Sequence, residues 1–460
     1  MQKKLIYTAI LPALLLMLAG CSKGYLDINQ TNPNQTENPP INALLANVTY
    51  QTGLNVYRAA NTTAYYVQYL ASPNQASSTD TYDNIDLSSL WLNIYDVIQD
   101  SRVMKQIAEG KNAFQHIAVA DITEAMNMSL LIDMFGDAPY SEAWNKSILK
   151  PGYDNAEQIF NNCLSLLDEG IAELAKASPG VVLDGTSDFI HGGTASAWTK
   201  TAYALKARLL NRLSKTSNYN PAAILQALSK AYTSNNDDAQ MTRFTARSPW
   251  NQAAYNNTVL LLDGWLSQQF VDALNGNTYG TVDPRLKYIA TITKFGDYRG
   301  TVNGAGRVGT GTDDEESYLS LDGFYSKAGA PLLLVTYAEM KFIEAEAKFA
   351  TDKGGAYQAY LDGIKANMDK IGVPSGERDT YLADANVAVG MNAFTKDLIF
   401  KEKYVAMFLQ PEAWTDARRY DYKYKDFTLP QNAVLSSFVR RVGYPSTEES
   451  RNASNVPQVT

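Results

Sequence analysis

The sequence predicts a mainly α-helical fold with one long loop-rich segment that carries minor β structure. Apolar residues recur at helical spacing along most of the chain after residue 41. Alanines are frequent where predicted helices would pair, and residues 235–331 are dense in Gly, Asn and Asp. A chain of 460 residues with 45% hydrophobic and 19% charged residues has enough apolar surface for a large globular core.

Helical periodicity predicts the elements in order along the chain. Predicted helices cover residues 41–71, 87–110, 113–135, 155–177, 194–215, 221–233, 336–350 and 356–371. The fifth and sixth helices form one hairpin and the last two form another, and both resemble tetratricopeptide units. Alternation in YIATIT, from Tyr288, predicts a short strand. We predict a single helical domain over residues 41–460, with residues 235–331 as a loop-rich insertion on its ligand side.

The start of the chain has the pattern of a bacterial lipoprotein signal. Two early lysines precede an apolar stretch over residues 5–18, which is too short to span a bilayer comfortably. The stretch ends in Leu-Ala-Gly-Cys, which resembles a lipobox with Cys21 as the lipid-modified residue. We therefore predict a signal peptide over residues 1–20, a polar tether over residues 21–40 and membrane attachment through Cys21. A secretory signal with an accidental cysteine is the alternative.

Residue usage argues against several functional classes. The net charge is −8 and no basic run occurs, so nucleic acid is not expected as a partner. The two histidines, His116 and His191, are too few and too scattered for a histidine metal site, and no cofactor motif occurs. The acidic run over residues 310–316 lacks the order of a calcium loop. Cys163 falls in a helical pattern and is predicted to be a buried structural thiol, so neither a metal nor a cofactor is predicted.

Motifs spread along the chain carry a family resemblance. In order they are CSKGYLDINQTNPN, WLNIY, DMFGDAPYSEAW, DPRL, TYAEMKFIEAEA, IFKEKYVAMFLQPEAWTDARRYDY and RRVGYPSTEESRN. In this order and spacing they make the chain resemble the SusD/RagB family of nutrient-binding outer-membrane lipoproteins of Bacteroidetes. One departure is local, since the chain continues after Tyr420 as DYK and lacks the Gly-Tyr-Pro that often follows there.

The resemblance implies a SusD-like fold and a function without catalysis. Proteins of this family capture oligomeric nutrients, often glycans, and deliver them to a SusC-type TonB-dependent transporter. On that basis we expect an oligosaccharide or other oligomeric nutrient as ligand and such a transporter as partner. We also expect a lipid-anchored location on the outer membrane that faces the cell exterior.

Aromatic residues in the irregular segments are the candidates for ligand binding. Tyrosine is frequent, with 29 Tyr against 15 Phe and 6 Trp. A flat ring can pack against the C–H face of a sugar, and planar polar neighbours can hydrogen-bond its hydroxyls. The predicted ligand-binding residues are Tyr82, Trp250, Asn251, Tyr298, Arg299, Tyr318 and Tyr325. Local packing is the alternative for each of them, whereas Trp91, Trp198 and Trp265 lie in helical patterns and are predicted core residues.

The charged motifs are predicted to stabilise the scaffold. Glu339, Glu344 and Glu346 lie within two turns of lysines, which predicts solvated pairs on a helix surface. Asp416 with the following arginines predicts an internal ion-pair network.

Two other functions stay open on the sequence. A glycoside hydrolase with a helical toroid would account for the many helices and carboxylates, although no paired-carboxylate motif stands out. A helical-repeat scaffold that binds only protein would account for the hairpins.

Overall fold

The chain is mainly helical, which confirms the predicted fold class. The computed structural model describes residues 39–177 and 180–458. The first eight helices are α1 (Ile41–Tyr66), α2 (Ser88–Glu109), α3 (Phe114–Phe135), α4 (Ala156–Leu174), α5 (Ala195–Arg212), α6 (Pro221–Leu228), α7 (Pro249–Thr258) and α8 (Gln268–Asn275). The later helices are α9 (Tyr337–Lys348), α10 (Lys353–Ile371), α11 (Ser375–Leu382), α12 (Gly390–Ala393), α13 (Lys396–Ala406), α14 (Glu412–Arg419) and α15 (Ser446–Arg451).

Helix α3 lies at the centre of the N-terminal half. It packs against α2 on one side and α4 on the other, and α1 also contacts it. Almost every residue from His116 to Leu131 is buried, because neighbours cover α3 on all sides. The predicted core tryptophans Trp91, Trp198 and Trp265 are at most 2% exposed, which confirms their assignment.

The two predicted hairpins are confirmed. Helix α5 packs against α6, and α9 packs against α10. Small residues permit the close approach, since Ala202, Ala204 and Ala207 of α5 are completely buried. Helix α9 also contacts α5 and α6, so the two hairpins share one core.

Two short strands close the loop-rich segment at its base. Strand β1 (Ala239–Met241) pairs antiparallel with β2 (Leu332–Val335), and Met241 stands opposite Leu332. The prediction of a strand that begins at Tyr288 is wrong. Tyr288 ends a single 3₁₀ turn, and only Ala290 forms an isolated bridge, to Leu319. Burial does not alternate there, since Ile289 and Ala290 are both buried and Ile292 is 56% exposed.

The charges of the late helices form a buried network, as predicted for Asp416 and its arginines. The Lys403 ammonium lies 2.9 Å from both Glu346 and Asp416, and Arg419 lies 2.9 Å from Glu346. Burial alone would raise the pKa of Glu346, but the charges of Arg419 and Lys403 outweigh it and lower that pKa to about 2.

The glutamates of α9 differ from the predicted solvated row. Glu344 does pair with Lys341 and Lys348 on the helix surface. Glu339 is completely buried instead and forms a two-pronged pair with Arg208 of α5, at 2.6 Å for each contact. The prediction failed there because periodicity within one helix does not reveal a charged partner on another helix.

The C-terminal part of the chain folds back onto the first two helices. The Tyr404 hydroxyl donates to the carbonyl oxygen of Val67 (2.8 Å), and the Gln68 amide donates to that of Thr428 (2.6 Å). Ser446, at the start of α15, donates to the carboxylate of Asp86 (3.0 Å). These contacts join positions more than 330 residues apart.

Most of the predicted N-terminal features cannot be compared with the structure. The signal peptide over residues 1–20, Cys21 and most of the tether lie outside the described residues. Within the described ranges, none of the helices is both long and apolar enough to span a bilayer.

Cys163 is buried in α4, as predicted, and burial raises the pKa of its thiol to about 12.

Candidate ligand-binding groove

Three adjoining depressions lie at the loop-rich segment and are together called the groove here. The largest has a volume of about 850 Å³, and a neighbour of about 720 Å³ shares Val282, Leu286 and Tyr298 with it. A third depression, of about 410 Å³, shares a set of residues on and near α8 with the largest: Gln268, Asp272, Asn277 and Val302. The shared lining residues place the three depressions side by side, with Tyr298 and Asp272 at their two borders.

Helix α8 forms one wall of the groove. The Ser267 hydroxyl accepts a hydrogen bond from the Phe270 amide (3.1 Å) and so caps the start of the helix. Phe270, Val271 and Leu274 are buried in the core. Gln268, Asp272 and Asn275, spaced four and three residues apart, lie together on the opposite face and line the groove.

The opposite wall is the loop that contains Tyr298 and Arg299. The Arg299 guanidinium pairs with Asp297 (2.7 Å) and lies over the ring of Phe295, 4.1 Å from its centroid. The side-chain amide of Asn275 donates to the carbonyl oxygen of Tyr298 (3.4 Å), which ties this loop to α8. Phe295 is 55% exposed, so the groove offers an aromatic face to solvent.

Only two of the predicted ligand-binding residues line this groove. Tyr298 stands where the two largest depressions meet, and Arg299 lies beside it. The other five residues, Tyr82, Trp250, Asn251, Tyr318 and Tyr325, are at most 3% exposed. Buried rings have no free face for a sugar, so local packing describes these five in this structure.

Each of the five has partners that account for its burial. Trp250 was predicted to lie in a loop but belongs to the first turn of helix α7. Its ring meets that of Tyr57 edge to face, with 4.9 Å between centroids. The neighbouring Asn251 side chain donates to the carbonyl oxygen of Ser326 (2.7 Å). The hydroxyl of Tyr82 donates to the carbonyl oxygen of Tyr66 (3.3 Å).

Tyr318 and Tyr325 pack in a similar way. The Tyr318 ring meets Trp265 with 4.8 Å between centroids, and the Tyr325 ring meets Phe408 at 5.2 Å. Loop position alone therefore did not separate exposed rings from buried ones.

The sequence contained a signal for the groove residues that were missed. Gln268, Asp272 and Asn275 are polar positions at helical spacing in a segment whose other residues are mainly apolar. That pattern indicates a helix with one face exposed to solvent. Phe295 and Val282 carry no such signal, since single exposed apolar residues are common on protein surfaces.

Carboxylates in the groove have different environments. Arg299 donates to Asp297 and lowers the pKa of that carboxyl. Glu316 is buried, which raises its pKa, and it accepts from the Thr301 hydroxyl (2.8 Å) and the Val308 amide (3.1 Å). Glu316 therefore holds the loop in shape, and the described residues contain no cluster of three or more potential metal ligands.

A second cavity lies inside the scaffold, between α1, α3 and α5. Arg212 and Glu412 line it with Gln410, and its free volume of about 30 Å³ has room for a water molecule or two. Both polar atoms of the Gln410 amide lack a partner among the described residues. The space is far too small for an oligomeric ligand.

Solved SusD-like proteins share this mainly helical fold. The chain belongs to the SusD-like family described as "Starch-binding associating with outer membrane", which it matches over residues 33–445. The sequence has no match among curated proteins.

Solved structures share the fold at low sequence identity. A SusD/RagB family protein of Bacteroides thetaiotaomicron is 22% identical with a TM-score of 0.75, covering 91% of this chain and 95% of that one. A SusD homologue of Bacteroides fragilis is 22% identical with a TM-score of 0.73, covering 89% and 94%. A chitin-binding SusD homologue of Flavobacterium johnsoniae is 21% identical with a TM-score of 0.72, covering 90% and 93%.

Proposed function

We propose that the protein is a non-catalytic surface lipoprotein that captures an oligomeric nutrient, most simply a glycan. The observation that carries the proposal is the groove of three adjoining depressions beside α8 and the Tyr298 loop. It combines an aromatic residue at a junction with amide and carboxylate side chains along one wall, which is the chemistry that sugar rings and hydroxyls need.

Family membership supports a glycan as the ligand. The family's description names starch, and the relative from Flavobacterium johnsoniae is described as chitin-binding. These glycans differ in their sugars and linkages, so the family leaves the choice of polymer to the groove of each protein. Glu316 serves the loop structure, which favours binding over hydrolysis at this site.

The same proposal includes the anchor and the transporter. A lipid-modified Cys21 would hold the domain at the outer membrane through a polar tether, with the groove facing the cell exterior. A SusC-type TonB-dependent transporter would receive the captured oligomer. Replacing Cys21 by Ser should release the protein from the membrane fraction and abolish labelling by a fatty-acid analogue.

Binding can be tested by calorimetry with oligosaccharides from starch and from chitin, together with analysis of the products. We expect saturable binding and no shortening of the oligosaccharide. Tyr298→Ala should weaken binding about fivefold, because an aromatic contact contributes about 1 kcal/mol. Tyr298→Phe keeps the ring and is the matched control. Hydrolysis of the oligosaccharide, or no binding of any glycan, would contradict the proposal.

The transporter is tested separately by purifying the lipidated protein from outer membranes. We expect a large barrel transporter to copurify in amounts comparable to the protein. If the transporter copurifies but no glycan binds, the protein-only scaffold described above becomes the better explanation.

A further inference from the structure

Acidic side chains dominate the groove once its ion pairs are considered. The lining cations are Lys287 and Arg299, and each is already paired, with Glu377 (2.6 Å) and Asp297 (2.7 Å). Lys425, beside the third depression, donates to the carbonyl oxygen of Thr278 (2.6 Å). The groove therefore has no lining cation free to meet an acidic ligand within residues 39–177 and 180–458.

Several lining acids have no such partner. Asp272 and Asp426 have no cationic group within 4 Å in the described part of the chain. Asp384, at the far end of the groove, accepts from the side chain of Thr281 (2.9 Å) and from the backbone of Asn386 (2.8 Å), and the charge of Lys401 also lowers its pKa. The negative charge without a cationic partner is therefore concentrated at Asp272 and Asp426, where the largest and the third depression adjoin.

Asp272 is held in an orientation that suits a ligand. The side-chain amides of Asn275 (3.1 Å) and Asn277 (2.8 Å) both donate to its Oδ1 atom. Its Oδ2 atom has no donor among the described residues, and Asp272 lines both the largest and the third depression. A fixed carboxylate oxygen without a donor accepts a hydrogen bond from a hydroxyl or an ammonium group, and it repels a carboxylate or a sulfate.

We propose that the groove selects glycans that are uncharged or carry amines, that it rejects glycans with carboxylate or sulfate groups, and that Asp272 is a residue that sets this selection. The inference rests on the proposed glycan-binding function and adds the chemical class of the ligand. An acidic sugar whose carboxylate or sulfate group stands beside Asp272 would meet like charge there, and that group could not supply the donor that Oδ2 lacks.

The test uses the full lipoprotein in detergent and an array of oligosaccharides of equal length. The probes are maltohexaose and chitohexaose as neutral glycans, the glucosamine hexamer as an amine-bearing glycan, and hexagalacturonate and sulfated chitohexaose as acidic glycans. Binding is measured at low and at physiological salt, because screening weakens exposed charge effects. We expect the strongest binders to lack acidic groups, and the preference for the amine-bearing over the sulfated hexamer to shrink as salt rises.

The isosteric variant Asp272→Asn isolates the charge. It should reduce the preference for the amine-bearing over the acidic hexamers about fivefold, since one nearby charge at the surface has an effect of this size. The control Asp96→Asn removes the same charge from an exposed position on α2 and should change nothing.

The outcomes separate the two proposals. A strongest binder with carboxylate or sulfate groups, or an unchanged preference in Asp272→Asn, overturns the charge selection while glycan binding stands. Failure to bind any probe class contradicts the proposed function and removes the basis of the charge selection with it.

Discussion

Two Asp-x-Arg pairs in the loop-rich segment have the same spacing and opposite surroundings. Asp283 and Arg285 are buried at the floor of the groove, with side chains 2% and 0% exposed. Asp297 and Arg299 stand on its wall, with side chains 47% and 50% exposed. Buried charges depend on every partner they have, whereas exposed charges can be hydrated by water instead. The first pair therefore belongs to the scaffold and the second to the groove.

The largest effect is expected at the buried pair. Arg285 also contacts Glu402 and donates to the side chain of Asn367 (3.1 Å). Arg285→Ala would therefore leave the buried Asp283 without a cation and Glu402 with Lys401 as its remaining cationic partner (2.7 Å). The free energy of unfolding should fall by about 3–5 kcal/mol, as measured by urea denaturation. A loss below about 1 kcal/mol would show that water enters the site and that the two pairs do not differ as described.

A somewhat smaller effect is expected where the loop-rich segment meets the C-terminal part. Gly304 has a φ of +79°, and an added Cβ would lie 1.8 Å from the carbonyl oxygen of Gln431. Gly304→Ala should lower the free energy of unfolding by about 2–3 kcal/mol, because the backbone at residue 304 would be strained and the backbone at Gln431 would be displaced. Gly329 is the matched control, since its φ is +72° and nothing lies within 4 Å of an added Cβ. Gly329→Ala should cost about 1 kcal/mol, and equal losses would contradict the close approach.

Acid should affect the scaffold through a buried histidine. Neither ring nitrogen of His116 has a hydrogen-bond partner among the described residues, and burial lowers its pKa from 6.5 to about 4. The unfolded chain binds the proton more readily, so this contribution to stability is complete above pH 6.5 and is lost as the pH falls towards 4.

The variant His116→Leu tests that contribution. Relative to the parent protein it should gain stability between pH 6.5 and 4, at up to about 1.4 kcal/mol per pH unit. The difference between the two proteins is the quantity to measure, since burial raises the pKa of Asp121 to about 7 and acts in the opposite direction. A difference that does not depend on pH would mean that His116 does not titrate in this range.

The smallest effect is expected at the exposed pair. Arg299→Ala should change the free energy of unfolding by less than about 0.5 kcal/mol, because exposed ion pairs contribute little. It serves as the matched control for Arg285→Ala, and thermal denaturation of both variants side by side measures the contrast. A loss comparable to that of Arg285→Ala would place the Tyr298 loop in the scaffold.

The contrast also explains what could be predicted from the sequence. The eight predicted helices, both hairpins and the Asp416–Arg419 pair follow from periodicity and local spacing, whereas α7 and α8 lie in the segment predicted as loops. The groove depends on which loops meet in space. Tyr318 and Tyr298 lie in the same segment, yet one ring packs on Trp265 and the other borders the groove. Such outcomes are decided by contacts between distant parts of the chain, and these leave no local pattern.

The return of the C-terminal part onto α1 and α2 has a consequence for the order of folding. Val67 and Gln68 receive their partners Tyr404 and Thr428 only after nearly the whole chain has been synthesised. Closing such long loops costs conformational entropy before any contact forms, so folding should be slow for a mainly helical protein. Until then the end of α1, where Tyr66 packs against Trp414, stays without its C-terminal neighbours, which makes the incomplete chain a substrate for chaperones.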